Sequence, residues 1–81
     1  MDTLRSYAIG LGLPVVTRQD GTFYVEVNGR AVYSVIYDRF TPYFETWNFK
    51  SRYSGHRSIM SQGRHVESVK RSLRKLRHRY V

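Results

Sequence analysis

With 81 residues and no cysteine, this chain cannot rely on a disulfide framework and must fold on burial alone, much of it supplied by twelve aromatic residues. Its formal net charge of +8 is segregated: residues 1–49 hold four Arg against five acids, and residues 50–81 hold ten Lys or Arg against one acid. No apolar run nears the roughly 18 residues of a membrane span, and the acidic, broken start "MDTLRSYAIGLGLP" is a poor signal peptide. The expectation is one cytoplasmic domain, or a nuclear one in a eukaryote, with one strongly basic half.

The first element is a short helix over residues 3–11. Asp2 or Thr3 caps it, and Leu4, Tyr7, Ala8 and Leu11 make one apolar face. Gly10, Gly12 and Pro14 end it. Residues 13–50 read as strands of an antiparallel meander, three or four in number. "LPVVTR" turns at Asp20-Gly21 into "TFYVEV", and "NG" at Asn28-Gly29 is the strongest hairpin signal in the chain. "RAVYSVIYD" returns, Pro42 marks another turn, and "YFETWNFK" supplies the last strand.

A regular hairpin about Asn28-Gly29 pairs Val25 with Val32 and Phe23 with Ser34. It puts Phe23, Val25, Val27, Val32 and Ile36 on the core face. Tyr24, Glu26, Ala31, Tyr33, Val35 and Tyr37 then share the other, half-wet face. Residues 51–63, "SRYSGHRSIMSQG", read as a basic connecting loop. The last helix, over 64–79, buries Val66, Val69, Leu73, Leu76 and Tyr80 as a narrow stripe. The fold class expected is α+β, with the short N-terminal helix and the basic C-terminal helix packed on one sheet face.

The chemistry available is limited. The three histidines are far apart, there is no Cys, and Asp20, Glu26, Asp38 and Glu45 are scattered, so neither a metal site nor a cofactor is expected. Phosphate-loop motifs are absent. His56, with Arg52, Tyr53 and Arg57 nearby in the chain, offers the residue types of a metal-independent ribonuclease. The simpler reading is a solvated loop whose His is incidental.

The basic helix is more informative. Like charges at i, i+4, as in Lys70/Arg74 and Arg71/Lys75, repel by about 0.2–0.5 kcal/mol per pair. Stability alone does not favour such a pattern. Eleven of the fourteen basic residues are Arg, which contacts phosphate in bidentate fashion and stacks on bases. A phosphate backbone is therefore the expected partner, met by Arg64, Lys70, Arg71, Arg74, Lys75 and Arg77, with Arg52 and Arg57 wrapping the same strand. Tyr24, Tyr33, Tyr37 and Tyr53 are candidate stacking residues. The narrow, valine-containing stripe suits a protein core better than a membrane surface.

The order α-β-β-β-α with a basic second helix resembles the double-stranded-RNA-binding-domain fold and the HicA-type toxins that share it. "GLPVVTRQDGTFYVEVNGRAVYSV" is similar to the strand–turn–strand of those toxins. In that family a Gly and a small hydroxyl residue precede a catalytic His, and here Gly21-Thr22 precede Phe23. The "GRHVESVKR" of the second helix replaces the Lys-rich run of the binding domains, and the strand at 43–50 has no counterpart in them. The resemblance thus implies a fold over 3–38 and 64–79 and transfers no site residue.

The first functional expectation is a small nucleic-acid-binding protein. Its alternative is an interaction module or inhibitor, of the kind a virus or mobile element encodes, docking its basic face on an acidic protein. A ribonuclease using His56 and a ribonucleoprotein component are the remaining readings. The strand at 43–50, if it lies at a sheet edge, offers a route to a homodimer.

Overall fold

A computed structural model describes residues 2–37, 43–51, 54–61 and 66–80. The first helix, α1 (Asp2–Gly10), buries Leu4 and Ala8 on the side its apolar spacing requires. It stops where Gly12 takes φ +82°, a backbone state that costs glycine little. The Gly12 amide then reaches the Ile9 carbonyl at 2.9 Å and the Leu13 amide reaches Ala8 at 3.2 Å, the paired bonds of a Schellman cap. The cap turns Leu13 inward, where it is buried near Ala8 in the same core.

Five strands follow: β1 (Val15–Thr17), β2 (Phe23–Val27), β3 (Arg30–Tyr37), β4 (Tyr43–Ser51) and β5 (Ser54–Ser61). They form one antiparallel meander in the order β1-β2-β3-β4-β5. The second helix, α2 (Val66–Tyr80), packs on the sheet face that also receives α1. The α+β architecture is as expected, but the strand count is five rather than three or four. The extra strand, β5, lies within the stretch 51–63 that reads from sequence as a loop. Its presence puts β4 inside the sheet, so 43–50 is not an edge, and β1 and β5 are the edges.

The turns follow their residues. Between β1 and β2, Asp20 Oδ1 accepts from the Thr22 amide at 3.0 Å and from the Thr22 hydroxyl at 2.6 Å. Those two bonds hold the Asp20 carboxyl below the usual carboxylate range. Between β2 and β3, Asn28 and Gly29 take φ +55° and +75°, the left-handed pair of a type I′ turn.

The hairpin register departs from the regular pairing. Val27 faces Arg30 and Glu26 faces Ala31, but Val25 faces Tyr33 and Phe23 faces Val35. Val32 is the extra residue of a β-bulge, which exchanges the two faces of β3 beyond it. Tyr33 and Val35 are therefore buried with Phe23 and Val25, while Ile36 is 39% exposed on the opposite face. Val32 is buried as well. The core gathers Leu4, Ala8 and Leu13, then Phe23, Val25, Val35 and Phe44 of the sheet, then Val69, Leu73 and Leu76 of α2.

Candidate functional site

α2 is cut lengthwise by its own composition. Val69, Leu73 and Leu76 are buried against the sheet, whereas Arg71, Arg74, Lys75, Arg77, His78 and Arg79 are all exposed. Six Lys or Arg lie within this helix and Glu67 is its one acid. Glu67 sits 3.6 Å from Lys70 at an exposed position, an ion pair of little energetic weight. Arg77, His78 and Arg79 occupy the last turn, where cations meet the negative end of the helix dipole. That favours the end of the helix but does not account for Lys70, Arg71, Arg74 and Lys75.

At 100° per residue, Lys70, Arg74 and Arg77 line the flank of α2 turned toward α1. There Arg74 donates to the Tyr7 hydroxyl at 2.9 Å, and the Lys70 ammonium stands 5.3 Å from the centre of the Tyr7 ring. Leu11, Arg74, Arg77 and His78 line a shallow cleft of about 360 Å³ between the two helices. Arg71 and Lys75 project from the outer surface beyond that cleft. Tyr7 is a site residue that sequence reasoning assigned only to the apolar stripe of α1. Its ring does serve that stripe, and its hydroxyl reaches the basic side.

The remaining expected contacts do not join this cluster. Arg52, Tyr53 and Arg64 lie outside the described residues. Arg57 is on β5, where it pairs across the sheet with Trp47 on the face away from α2. Its guanidinium lies 2.8 Å from a Glu45 carboxylate oxygen and 5.9 Å from the Trp47 ring centre. Among the expected binding residues, those the structure brings together are therefore Lys70, Arg71, Arg74, Lys75 and Arg77.

The tyrosines also separate. Tyr33 is buried at 3% exposure and its phenol bonds with Thr46 and Ser72, so the bulge removes it from the stacking candidates. Burial pushes its pKa up, and those two hydrogen bonds oppose the shift. Tyr37 pairs with Phe44 along the β3–β4 ladder, and its side chain lies outside what the structure describes. Tyr24 does lie on the open face, with the Arg18 guanidinium 4.8 Å from its ring centre.

His56 is exposed and pairs with Asn48; together with Ser54 and Gly55 they line an open pocket of about 430 Å³. Neighbouring residues on a strand point to opposite faces, so His56 and Arg57 diverge rather than converge on one phosphate. Among the described residues, no group of three or more His, Cys, Asp or Glu is placed to hold a metal ion. No helix among them is long and apolar enough to cross a membrane. Comparison with protein-family models, with curated proteins and with solved structures finds no match for this chain.

Proposed function

We propose that this protein binds nucleic acid through the outer surface of α2, contacting phosphates with Arg71, Arg74, Lys75 and Arg77 and with Lys70 at the α1 flank. The observation that carries the reading is the one-sided helix: six cations against one acid, with five of the six exposed and the apolar stripe committed to the core. A packed helix does not need that density of like charge, and it loses a few tenths of a kcal/mol for each i, i+4 repulsion. A polyanion relieves those repulsions and releases counterions as it binds. The Arg74–Tyr7 bond and the Lys70–Tyr7 contact fix part of this surface before a ligand arrives, which lowers the ordering cost of binding. The contacts proposed are to the phosphate backbone, which positions a protein on a nucleic acid without reading its sequence.

The test is binding of nuclease-treated protein to duplex and single-stranded DNA and RNA across a salt series, with polyglutamate as competitor. Affinity should fall steeply with salt. Absence of binding at low salt sinks the reading, and tighter binding to polyglutamate than to any nucleic acid would favour the acidic-protein alternative.

A further inference from the structure

Both helices cover one face of the sheet, and no described helix covers the other. Across that open face runs a registered row, Val16–Tyr24–Ser34–Trp47–Arg57, one residue from each strand. Beside it lies Ile36–Glu45–Ile59, with Tyr43 further along β4. Four of the five large apolar residues exposed among the described positions are here: Val16, Ile36, Tyr43 and Ile59, the last at 64%. The fifth, Ile9, is on α1. Apolar exposure concentrated in this way marks an interaction surface rather than scattered surface residues.

The face is also held in shape. Trp47 donates from its indole nitrogen to Glu45, and its ring runs parallel to Phe49 at 5.9 Å between centres. Phe49 lies over Gly55, where a Cβ would come within 2.9 Å of the ring. Glycine at 55 is thus what lets Phe49 lie against β5. Arg18 spans from Tyr24 to Ser34, donating to the Ser34 hydroxyl at 2.9 Å.

We infer that this face docks a second copy of the chain, sheet against sheet, independently of any polyanion bound on α2. Charge decides between occupants. Among the described residues the face presents Arg18 and Arg57 against Glu26 and Glu45, and so carries no net charge, on a chain of +8. Unpaired bases are poorly served there, because two carboxylates repel phosphate and Arg57 is already engaged by Glu45. For a second copy, most approaches bring one basic helix toward another. The sheet-first approach leaves both helices outside two sheets that are themselves about 10 Å apart, well past a Debye length of roughly 8–10 Å.

The pattern is also complementary to itself. A twofold axis running along β3 in the interface lays β2 of one copy over β4 of the other. Tyr24 then meets Trp47 of the second copy, Val16 meets the aliphatic stem of Arg57, and Arg18, which covers the buried Ser34 near the axis, comes toward the opposing Glu45. Five strands spaced about 4.8 Å apart and some six residues long offer about 500 Å² per copy. That is below the roughly 800 Å² per partner of a stable complex, so the dimer should be weak and concentration-dependent.

Sedimentation equilibrium of nuclease-treated protein from about 10 µM to 1 mM tests this, read alongside the emission of Trp47, the sole tryptophan. The expected mass rises from 9.6 kDa toward twice that value, with a blue shift of Trp47 over the same range. Ile36→Lys should weaken association about tenfold or more; Ile36 is solvent-exposed and sits on the central strand, so this change spares edge-to-edge pairing of β1 or β5. A mass fixed at that of the monomer overturns the inference. So does a dimer that Ile36→Lys leaves intact. Quenching of Trp47 by single-stranded oligonucleotide but not by duplex also overturns it, by assigning the face to unpaired bases. Loss of dimerisation in Ile36→Lys with nucleic-acid binding retained supports it and separates it from the reading of α2.

Discussion

On the helix side of this molecule, Arg71, Arg74, Lys75, Arg77 and Arg79 stand exposed on one helix with Glu67 as its only acid. On the sheet side, Arg18 and Arg57 are matched by Glu26 and Glu45, and the exposed residues between them are Val16, Ile36, Tyr43 and Ile59. Both sides share one core, so fold stability does not require them to differ. A surface meant only for water mixes its charges. One that collects cations is suited to a polyanion, and one that exposes apolar side chains without net charge is suited to a protein surface. The net charge of +8 conceals this division, because α2 alone holds six Lys or Arg against one acid while the described open face of the sheet balances two Arg with two Glu.

The strongest way to break the comparison is to remove the layer both sides depend on. Leu73→Ala empties a fully buried position beneath α2 and should cost about 2–5 kcal/mol. Against a typical total of about 5–15 kcal/mol, urea denaturation should show a large fall in midpoint, with both faces lost in one transition.

Next comes the charge itself. Arg71→Glu with Lys75→Glu alters two exposed residues that carry no buried contact. Each phosphate contact is worth about tenfold near 0.1 M salt, so affinity for nucleic acid should fall about 100-fold or more. Stability should stay within about 0.5 kcal/mol, as is usual for surface changes. Parallel filter-binding and thermal melts check both statements.

A smaller effect is expected on the sheet side. Gly55→Ala places a methyl against Phe49 and should destabilise by about 1 kcal/mol. Trp47 fluorescence should report the displaced ring while binding by α2 is unchanged. If binding fell with it, the two faces would not be separable.

The smallest effect is alkaline. Burial raises the Tyr33 pKa above the ordinary value of about 10. Its contribution is therefore complete below the unfolded-state pKa and is lost as pH rises through the folded one. Denaturation curves from pH 8 to 11 should show a decline beginning near pH 10, and Tyr33→Phe should lessen that decline.

Much of the architecture was legible because its signals are local. The α1 stripe, the Asn28-Gly29 turn and the α2 stripe each appear within a few residues, and each forms the element expected. β5 was not legible because "SGHRSIMS" is polar and holds a glycine, which reads as a connection. Its strand identity comes from β4 and from Phe49 lying over Gly55, neither of which is visible locally. The bulge was hidden for a different reason. Either register of β3 presents apolar residues to the core, Val32 and Ile36 in one and Tyr33 and Val35 in the other. The realised register also brings the Tyr33 phenol to Thr46 and Ser72 and leaves the small Ser34 beneath Arg18. Those are tertiary contacts, and they decide what periodicity leaves even. Within the candidate site, the cations of α2 followed from the helical wheel. The separation of Arg57 from them, and the role of the Tyr7 hydroxyl, depended on which sheet face each element occupies.

The central claim, that polyanion binding belongs to the helix side, is tested most directly by comparing salt slopes. The slope of log affinity against log salt is measured for the wild-type chain, for Arg71→Glu with Lys75→Glu, and for Arg18→Gln with Arg57→Gln. A slope of about −0.9 per neutralised phosphate on duplex DNA predicts that the helix pair flattens it by about two units and the sheet pair leaves it unchanged. A flatter slope in the sheet pair, with the helix pair unchanged, would contradict the account.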